Sequence, residues 1–262
     1  MKLLTKTLIS VPVLTAACYA AACAALAFGA RSILYHPPGA STGSPTWSLQ
    51  RDDTRILVSS NQRKADSVVI YFGGNAEDVS QSLPMLEHGF PHASIHALHY
   101  RGYSGSGGRP SERLLVADAL ALYDTLAPEY QHISIVGRSL GTGIATQLAA
   151  ARRSDRLVLI TPYNSILELG QKQFPWFPVR FLLNDQYESW RFAARIQVPT
   201  TIIVAGRDAV IPPDSAYRLA RQFPQGVADV VTFAEADHSN IGSAPRFIDA
   251  LAGTYPANDQ AL

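Results

Sequence analysis

Short apolar runs recur along this chain, separated by longer stretches in which apolar and polar residues mix. The runs have strand length, and Val68 to Phe72 is apolar at every position, as in strands buried on both faces. The runs predict strands at residues 55–60, 67–72, 93–99, 133–136, 156–160, 200–205 and 230–233. The segments between them predict helices at residues 76–88, 114–126, 141–152, 215–222 and 245–252. This alternation is typical of an α/β domain whose twisted, mostly parallel sheet carries helices on both faces.

Residues 162–197 interrupt this rhythm. The segment holds a dense group of aromatic and proline residues, Phe174 to Pro178, with little regular alternation. Because it lies between two predicted sheet strands, we expect a small lid over the strand ends, with a packed connecting helix as the alternative. Its aromatic side chains would suit an apolar or acyl substrate, or contact with a membrane surface.

The N-terminal segment has a different character. Lys2 and Lys6 precede an uncharged stretch of 23 residues, Leu8 to Ala30, which is long enough to span a bilayer as a helix. Three interpretations remain open: an uncleaved signal anchor, a signal peptide cleaved near Ala25-Leu26-Ala27, and a buried core helix.

These features predict the domain organisation. We expect a membrane anchor or signal peptide at residues 1–31, a connector at 32–48 and the α/β domain at 49–262. Lysines on the N-terminal side indicate that this end stays in the cytoplasm. The domain would then lie on the exported side of a membrane, such as the periplasmic face of a bacterial inner membrane, or be secreted after cleavage.

Composition narrows the classes of function. The net charge is +1, and no basic run with interleaved aromatics predicts a nucleic-acid partner. Cys18 and Cys23 both lie in the apolar stretch, and no cysteine or histidine cluster has metal-ligand spacing. We therefore expect no metal and no cofactor, and a small-molecule or acylated substrate. The sequence leaves the oligomeric state open.

The segment Ile133 to Ala145 carries the clearest chemical signal. A β-branched run ends at Gly137, Ser139 sits between Gly137 and Gly141, and a helical sequence follows at once. Gly-x-Ser-x-Gly between a strand and a helix is the context of a nucleophile elbow, in which a tight turn exposes the serine oxygen above the sheet. An ordinary strand-to-helix loop is the alternative. The motif predicts Ser139 as a nucleophile.

A serine nucleophile needs a base and an orienting acid. In the order Ser, Asp, His, the acid is predicted to be Asp208, directly after the apolar strand at 200–205. The base is predicted to be His238, because every other histidine precedes Ser139. Asp237 and Glu235 are close in sequence but lie on the wrong loop to be the first-choice acid.

Backbone N–H groups are expected to stabilise the developing oxyanion. One donor is predicted at Leu140, directly after the serine. The second is predicted at Asn75, because the Gly73-Gly74-Asn75 turn follows a strand end.

Three motifs in this order resemble one group of α/β-hydrolases. They are Phe72 to Asp78, Tyr100 to Glu112 and Gly137 to Gly143. That group is similar to serine aminopeptidases and lysophospholipases and includes membrane-associated protein depalmitoylases. The resemblance implies an α/β-hydrolase fold with Ser139, Asp208 and His238 as the triad, and Asn75 and Leu140 as oxyanion donors. Arg101, Tyr103 and Asp118 also match positions of this group, and we interpret them as loop and core supports and not as catalysts.

The chain departs from this group at two places. Gly73 stands where the group has histidine, and Ser239-Asn240 follow His238 where the group has Asn-Asp. The first departure predicts a looser or repositioned oxyanion loop, and the second predicts a changed helix entrance beside the base.

The expected reaction is cleavage of an ester, thioester or amide carbonyl through an acyl-enzyme on Ser139. Two alternatives remain: an anchored, non-catalytic binding module with the same fold, and an acyltransferase using the same triad.

Overall fold

The computed structural model describes residues 2–41, 43 and 47–255 of the chain. Within these ranges the strands form one eight-stranded sheet in the order β1-β2-β4-β3-β5-β6-β7-β8. The strands are β1 (Trp47–Arg51), β2 (Thr54–Ser60), β3 (Ser67–Phe72), β4 (Ser94–Leu98), β5 (His132–Arg138), β6 (Arg156–Ile160), β7 (Thr200–Ala205) and β8 (Ala228–Phe233). Strands β1 and β2 pair antiparallel, β2 is antiparallel to β4, and all later pairs are parallel. The predicted mostly parallel sheet is confirmed.

Helices connect the strands and cover the sheet. They are α1 (Lys2–Leu34), α2 (Leu83–Gly89), α3 (Glu112–Leu126), α4 (Leu140–Ala151), α5 (Ile166–Gln173), α6 (Val179–Leu182), α7 (Trp190–Ala193), α8 (Pro213–Ala220) and α9 (Phe247–Ala252). Single 3-10 turns occur at Val79–Ser82, Ala127–Glu129 and Ile241–Ser243. Two groups of buried apolar residues lie on the two faces of the sheet, because strand neighbours such as Val68 and Val69 point to opposite sides.

Two elements differ from the sequence-based expectation. The helix predicted at 76–88 begins only at Leu83, after a 3-10 turn. Ala76 has a left-handed backbone, and the Asp78 carboxylate accepts a hydrogen bond from the Ser80 N–H, so residues 76–78 form a turn and a cap. Strand β1 was not predicted and begins at Trp47, inside the expected connector at 32–48.

The N-terminal helix is long and apolar. Val11–Leu34 has a mean hydropathy of 1.9, and none of its most apolar window is buried against the rest of the structure. This fits a membrane anchor or a signal sequence and not a buried core helix. Helix α1 also extends to Leu34, beyond the anchor expected at 1–31.

The carboxyl ends of the parallel strands define one edge of the sheet. Segments that leave this edge carry Asn75 after β3, Ser139 after β5, Asp208 after β7 and His238 after β8. The lid segment, residues 162–197 with helices α5 to α7, leaves the same edge after β6. In open α/β sheets, this is the edge at which ligands bind.

We predict that the stability of the fold depends on pH through His96. Burial lowers the pKa of His96 to about 4, and its Nδ1 accepts a hydrogen bond from Trp47 Nε1 at 3.1 Å. The unfolded chain takes up this proton at an ordinary histidine pKa of about 6.5, so the free energy of unfolding should decrease as the pH falls from about 6.5 to about 4. Thermal unfolding of the full chain in detergent should show a Tm that falls over this range.

His96→Gln should reduce that fall in Tm, whereas His92→Gln, at an exposed position, should not. An equal slope in both variants would contradict this assignment.

Candidate active site

Ser139 occupies a sharp turn between β5 and α4. Its backbone is left-handed, with φ of 49° and ψ of −116°, a conformation that non-glycine residues seldom adopt and that often marks functional sites. The turn requires close backbone contacts on both sides. A Cβ at Gly137 would lie 2.6 Å from the carbonyl oxygen of Gly141, and a Cβ at Gly141 would overlap the carbonyl oxygen of Phe72. The two glycines therefore allow the strand and the helix to meet around Ser139.

The serine, histidine and aspartate named by the sequence lie in one hydrogen-bonded chain. Ser139 Oγ is 2.9 Å from His238 Nε2. On the other side of the ring, His238 Nδ1 is 2.7 Å from Asp208 Oδ2. The three residues are far apart in the sequence, and they meet only because β5, β7 and β8 lie in one sheet with their carboxyl ends at the same edge.

Asp208 is held firmly in its loop. Its side chain is almost completely buried, and its Oδ1 accepts hydrogen bonds from the N–H groups of Val210 at 2.9 Å and Ile211 at 2.7 Å. The other oxygen faces His238. A buried carboxylate with both oxygens partnered is fixed in orientation, so it can hold the imidazole in one tautomer.

The Asp237 carboxylate stabilises the turn that carries His238, whereas the Asp208 carboxylate contacts the imidazole itself. Its carboxylate accepts hydrogen bonds from the N–H groups of Ser239 and Asn240 and from both of their side chains. These bonds, that from the Ser239 hydroxyl above all, lower the pKa of Asp237. The two residues that depart from the resembling group therefore complete a turn that fixes the loop carrying His238.

The turn after β3 lies beside the serine. A Cβ at Gly74 would be 3.5 Å from the Ser139 Cβ. Glu77 organises this turn: its carboxylate accepts from the Gly74 N–H at 2.6 Å and from the Tyr71 hydroxyl at 2.7 Å. Arg138 approaches the same carboxylate at 3.7 Å. The N–H of Gly74 is thereby occupied.

The side chain of Asn75 is fully engaged away from the serine. Its Oδ1 accepts from the Tyr103 hydroxyl at 2.7 Å and from the His36 N–H at 2.9 Å. Its Nδ2 donates to the carbonyl oxygen of Leu34 at 2.6 Å, at the end of helix α1. Within the described ranges the backbone N–H of Asn75 makes no hydrogen bond. Leu140 opens helix α4, where first-turn N–H groups have no partner inside the helix.

The glycine at position 73 has a steric explanation. A Cβ there would lie 2.5 Å from Val79 Cγ1 and 3.0 Å from the Glu77 carboxyl carbon. The Gly73 carbonyl accepts a hydrogen bond from Tyr100 at 2.7 Å. The loop that the sequence predicted to be looser is thus closely packed.

Glu77 is a site residue that sequence reasoning missed. The signal was present, because Glu77 follows Gly74 by three residues, the spacing of a capping box in which a carboxylate returns to a backbone N–H. A second buried interaction involves two of the residues interpreted above as loop and core supports. Arg101 and Asp118 form a buried bidentate pair at 2.6 and 2.7 Å, and these hydrogen bonds raise the pKa of Arg101.

A second serine–histidine pair provides a contrast. Ser59 Oγ lies 2.8 Å from His99 Nε2, yet both residues are only 1% exposed. Among the described residues no group bonds to His99 Nδ1, so this pair lacks an orienting carboxylate. Burial lowers the pKa of His99. The Ser139 site therefore differs from this pair in two ways: Asp208 orients its histidine, and its serine is partly exposed to solvent.

A mostly apolar cavity of about 440 Å³ adjoins the serine turn. Asn75 and Leu140 are among its lining residues. Helix α1, the lid segment and residues 209–212 of the Asp208 loop form its walls. Its volume is within the range of small-molecule sites, roughly 300–1,000 Å³. In the ranges that the structure covers, no group of three or more histidine, cysteine or acidic side chains could hold a metal ion.

Comparison with known proteins gives partial matches in sequence. No protein-family model matches the chain. An uncharacterised protein of Mycobacterium tuberculosis is 38% identical over 157 residues, which cover 58% of this chain and 56% of that protein. The lysophosphatidylserine lipase ABHD12 of Danio rerio is 33% identical over 136 residues, 43% of this chain and 35% of that protein. The chain thus spans about half the length of the first relative and about a third of the second.

Comparison with solved structures covers more of the chain. Est1E from Butyrivibrio proteoclasticus, solved with ferulic acid bound, matches with a TM-score of 0.67 at 13% identity, covering 79% of this chain and 97% of that one. At this identity the likeness concerns the fold alone. With its mostly parallel eight-stranded sheet, the chain has the α/β-hydrolase fold and is similar in sequence to α/β hydrolase domain-containing proteins.

Proposed function

We propose that this protein is a serine hydrolase that cleaves an ester or thioester through an acyl-enzyme on Ser139. The observation that carries the proposal is the hydrogen-bonded chain from Ser139 Oγ through His238 to Asp208. Relatives and structural neighbours named as a lipase or an esterase support a hydrolytic enzyme of the α/β-hydrolase type. Their names supply a reaction class, and the residues of this chain supply the mechanism.

In the first step, His238 Nε2 accepts the Ser139 proton while Ser139 Oγ attacks the carbonyl carbon. Asp208 holds the Nδ1–H and stabilises the imidazolium that forms. His238 then donates its proton to the leaving group, and the acyl-enzyme remains. In the second step, His238 takes a proton from water, the hydroxide attacks the acyl carbon, and Ser139 is released as the proton returns to it.

The N–H groups of Asn75 and Leu140 stabilise the oxyanion in both steps. Preorganised backbone donors are effective because they need no reorientation as charge develops on the carbonyl oxygen. This assignment is supported by two observations: Asn75 and Leu140 both line the cavity, and among the described residues the Asn75 N–H makes no backbone hydrogen bond. The hydrogen bonds of the Asn75 side chain hold the first donor in position.

We further propose that α1 anchors the enzyme in a membrane, with the catalytic domain on the exported side. Lys2 and Lys6 before the apolar stretch support this orientation. An acyltransferase would use the same acyl-enzyme with an alcohol or amine in place of water. A non-catalytic binding module would have no need of the buried, doubly partnered Asp208.

Fluorophosphonate labelling tests the nucleophile. The full-length protein in detergent should be labelled covalently, and Ser139→Ala should abolish the label. Ser59→Ala is the matched control, because Ser59 also contacts a histidine but is buried without an acid partner. Loss of label in Ser59→Ala, or retention in Ser139→Ala, would contradict the assignment.

Substitution of the acid tests the role of Asp208. Asp208→Asn preserves the shape of the side chain but presents the wrong partner to His238 Nδ1, so kcat should fall by roughly 10³- to 10⁴-fold. It is measured with p-nitrophenyl acetate. Asp237→Asn is the control, since its amide oxygen can still accept from the Ser239 and Asn240 N–H groups. An equal loss in both variants would argue against Asp208 as the acid.

Removal of one hydroxyl tests the oxyanion loop. Tyr103→Phe deletes the bond to Asn75 Oδ1, and a hydrogen bond of about 0.5–1.5 kcal/mol corresponds to a roughly 2- to 10-fold lower kcat. KM should change little, because the loop acts on the transition state. Tyr123→Phe, which removes a hydroxyl bonded to the distant Arg153 carbonyl, should leave kcat unchanged. A rise in KM alone would contradict the positioning role.

A further inference from the structure

One face of helix α1 lines the cavity beside the serine. Leu26, Ala30, Ile33 and Leu34 all contribute to the cavity wall. Their spacing of four, three and one residues puts them on a single helical stripe. The same cavity is lined by apolar residues of the lid segment, among them Ile166 and Leu169. An apolar N-terminal helix is therefore part of the site, although a plain anchor would need no such stripe.

Several contacts fix α1 against the catalytic domain. Arg31 Nε pairs with the buried carboxylate of Asp185 at 3.0 Å. The Tyr35 and Tyr187 hydroxyls lie 2.9 Å apart, and the Leu34 carbonyl accepts from the Asn75 side chain. Asp185 and Tyr187 belong to the lid segment, so the helix, the lid segment and the oxyanion loop are joined at one point.

The lid segment follows α1 back toward the membrane. The Tyr19 hydroxyl donates to the Trp176 carbonyl at 2.9 Å, and the Tyr19 ring stacks on Phe177 with centroids 5.9 Å apart. A hydrocarbon core of about 30 Å takes roughly 20 helical residues, so a core that begins at Leu8 ends near Ala27. By the same rise per residue, Tyr19 lies about 12 Å inside that boundary.

The tip of the lid segment is suited to an apolar surrounding. Trp176 is 83% exposed and Phe181 is 84% exposed, next to a helix that is apolar enough to span a bilayer. Pro175 and Pro178 have no N–H to satisfy, and the Phe177 N–H bonds to the Phe174 carbonyl at 3.1 Å. Lipid disfavours unpaired backbone groups, and this turn presents few.

We propose that α1 forms a wall of the acyl-binding pocket, and that the substrate is an acyl ester whose chain is embedded in the bilayer and reaches Ser139 between α1 and the lid segment. The cavity lining includes Leu26 of α1, near the estimated hydrocarbon boundary, as well as Asn75 and Leu140 beside the serine turn. This mostly apolar lining offers an acyl chain a path from lipid to the serine turn. The inference rests on the proposed hydrolase function and assigns chain-length specificity to Leu26, Ala30 and Ile33. It also requires an uncleaved anchor, because cleavage near Ala27 would remove Leu26.

The first test measures chain-length preference in full-length protein reconstituted in phosphatidylcholine vesicles. Ala30→Trp fills the pocket, so the ratio of kcat/KM for p-nitrophenyl dodecanoate to that for the acetate should fall by at least about tenfold. Leu26→Ala removes volume from the same wall and so enlarges the pocket. It should raise the ratio of kcat/KM for p-nitrophenyl octadecanoate to that for the dodecanoate. Ala24→Trp, on an exposed position of the same helix, is the control and should leave both ratios unchanged. Fluorophosphonate labelling of each variant verifies that the serine turn is folded.

The outcomes separate the two proposals. A wild-type protein that neither labels nor hydrolyses the acetate would overturn the hydrolase function and this inference with it. Labelled, active variants whose chain-length ratios match the wild type would overturn the pocket wall while leaving the hydrolase function intact.

The second test locates the lid tip. A variant retaining Trp176 alone (Trp47→Phe with Trp190→Phe) should lose fluorescence in vesicles of acyl-brominated phosphatidylcholine. A variant retaining only Trp47, in the edge strand β1, should not. Equal fluorescence of the Trp176 variant in brominated and unbrominated vesicles would overturn the passage of the acyl chain from the bilayer.

Discussion

The close approach of helix α4 to the end of strand β3 is the constraint on which the site depends. A Cβ at Gly141 would overlap the Phe72 carbonyl oxygen and lie 2.6 Å from that of Gly73, so no side chain fits between helix and strand. The left-handed backbone of Ser139 turns the chain sharply enough to permit this contact. As a result, the serine, the opening N–H groups of α4 and the loop after β3 share one small volume. Packing around Ser139 offsets the free-energy cost of its strained backbone.

Around this contact, polar groups of distant segments hold the loop after β3. Glu77 binds the Gly74 N–H, Tyr100 binds the Gly73 carbonyl and Tyr103 binds the Asn75 side chain. Each bond gives a polar group of this loop a partner, and a polar group without a partner is costly in a low-dielectric interior. The loop therefore needs no intrinsic rigidity, and the glycine at position 73 does not loosen it.

The apolar part of the site is built by segments outside the central sheet. Helix α1 and the lid segment supply most of the cavity wall, and the Arg31–Asp185 pair joins them. The polar chemistry sits at the strand ends and the apolar lining sits toward the membrane helix.

The sequence determined the elements whose signals are local. Buried parallel strands such as β3 and β7 read as continuous apolar runs, because both of their faces are covered. The turn at Ser139 was predictable because the glycines that its close backbone contacts require lie two residues away on either side. The chain order of serine, acid and histidine then selected Asp208 and His238, each of which follows a predicted strand. The failures were also local. The sequence pattern did not reveal the cap at Asp78 or the short edge strand β1.

Only the tertiary structure decided which distant groups meet. Nothing in the sequence around Asn75 indicates that its amide binds Leu34 and Tyr103, since such bonds depend on the relative placement of whole elements. The role of α1 shows the difference most clearly. Its composition and length predict a segment that can cross a membrane, because hydropathy is a property of the segment itself. The use of its Leu26 to Leu34 stripe as a cavity wall arises from packing against the lid segment, about 140 residues later in the chain.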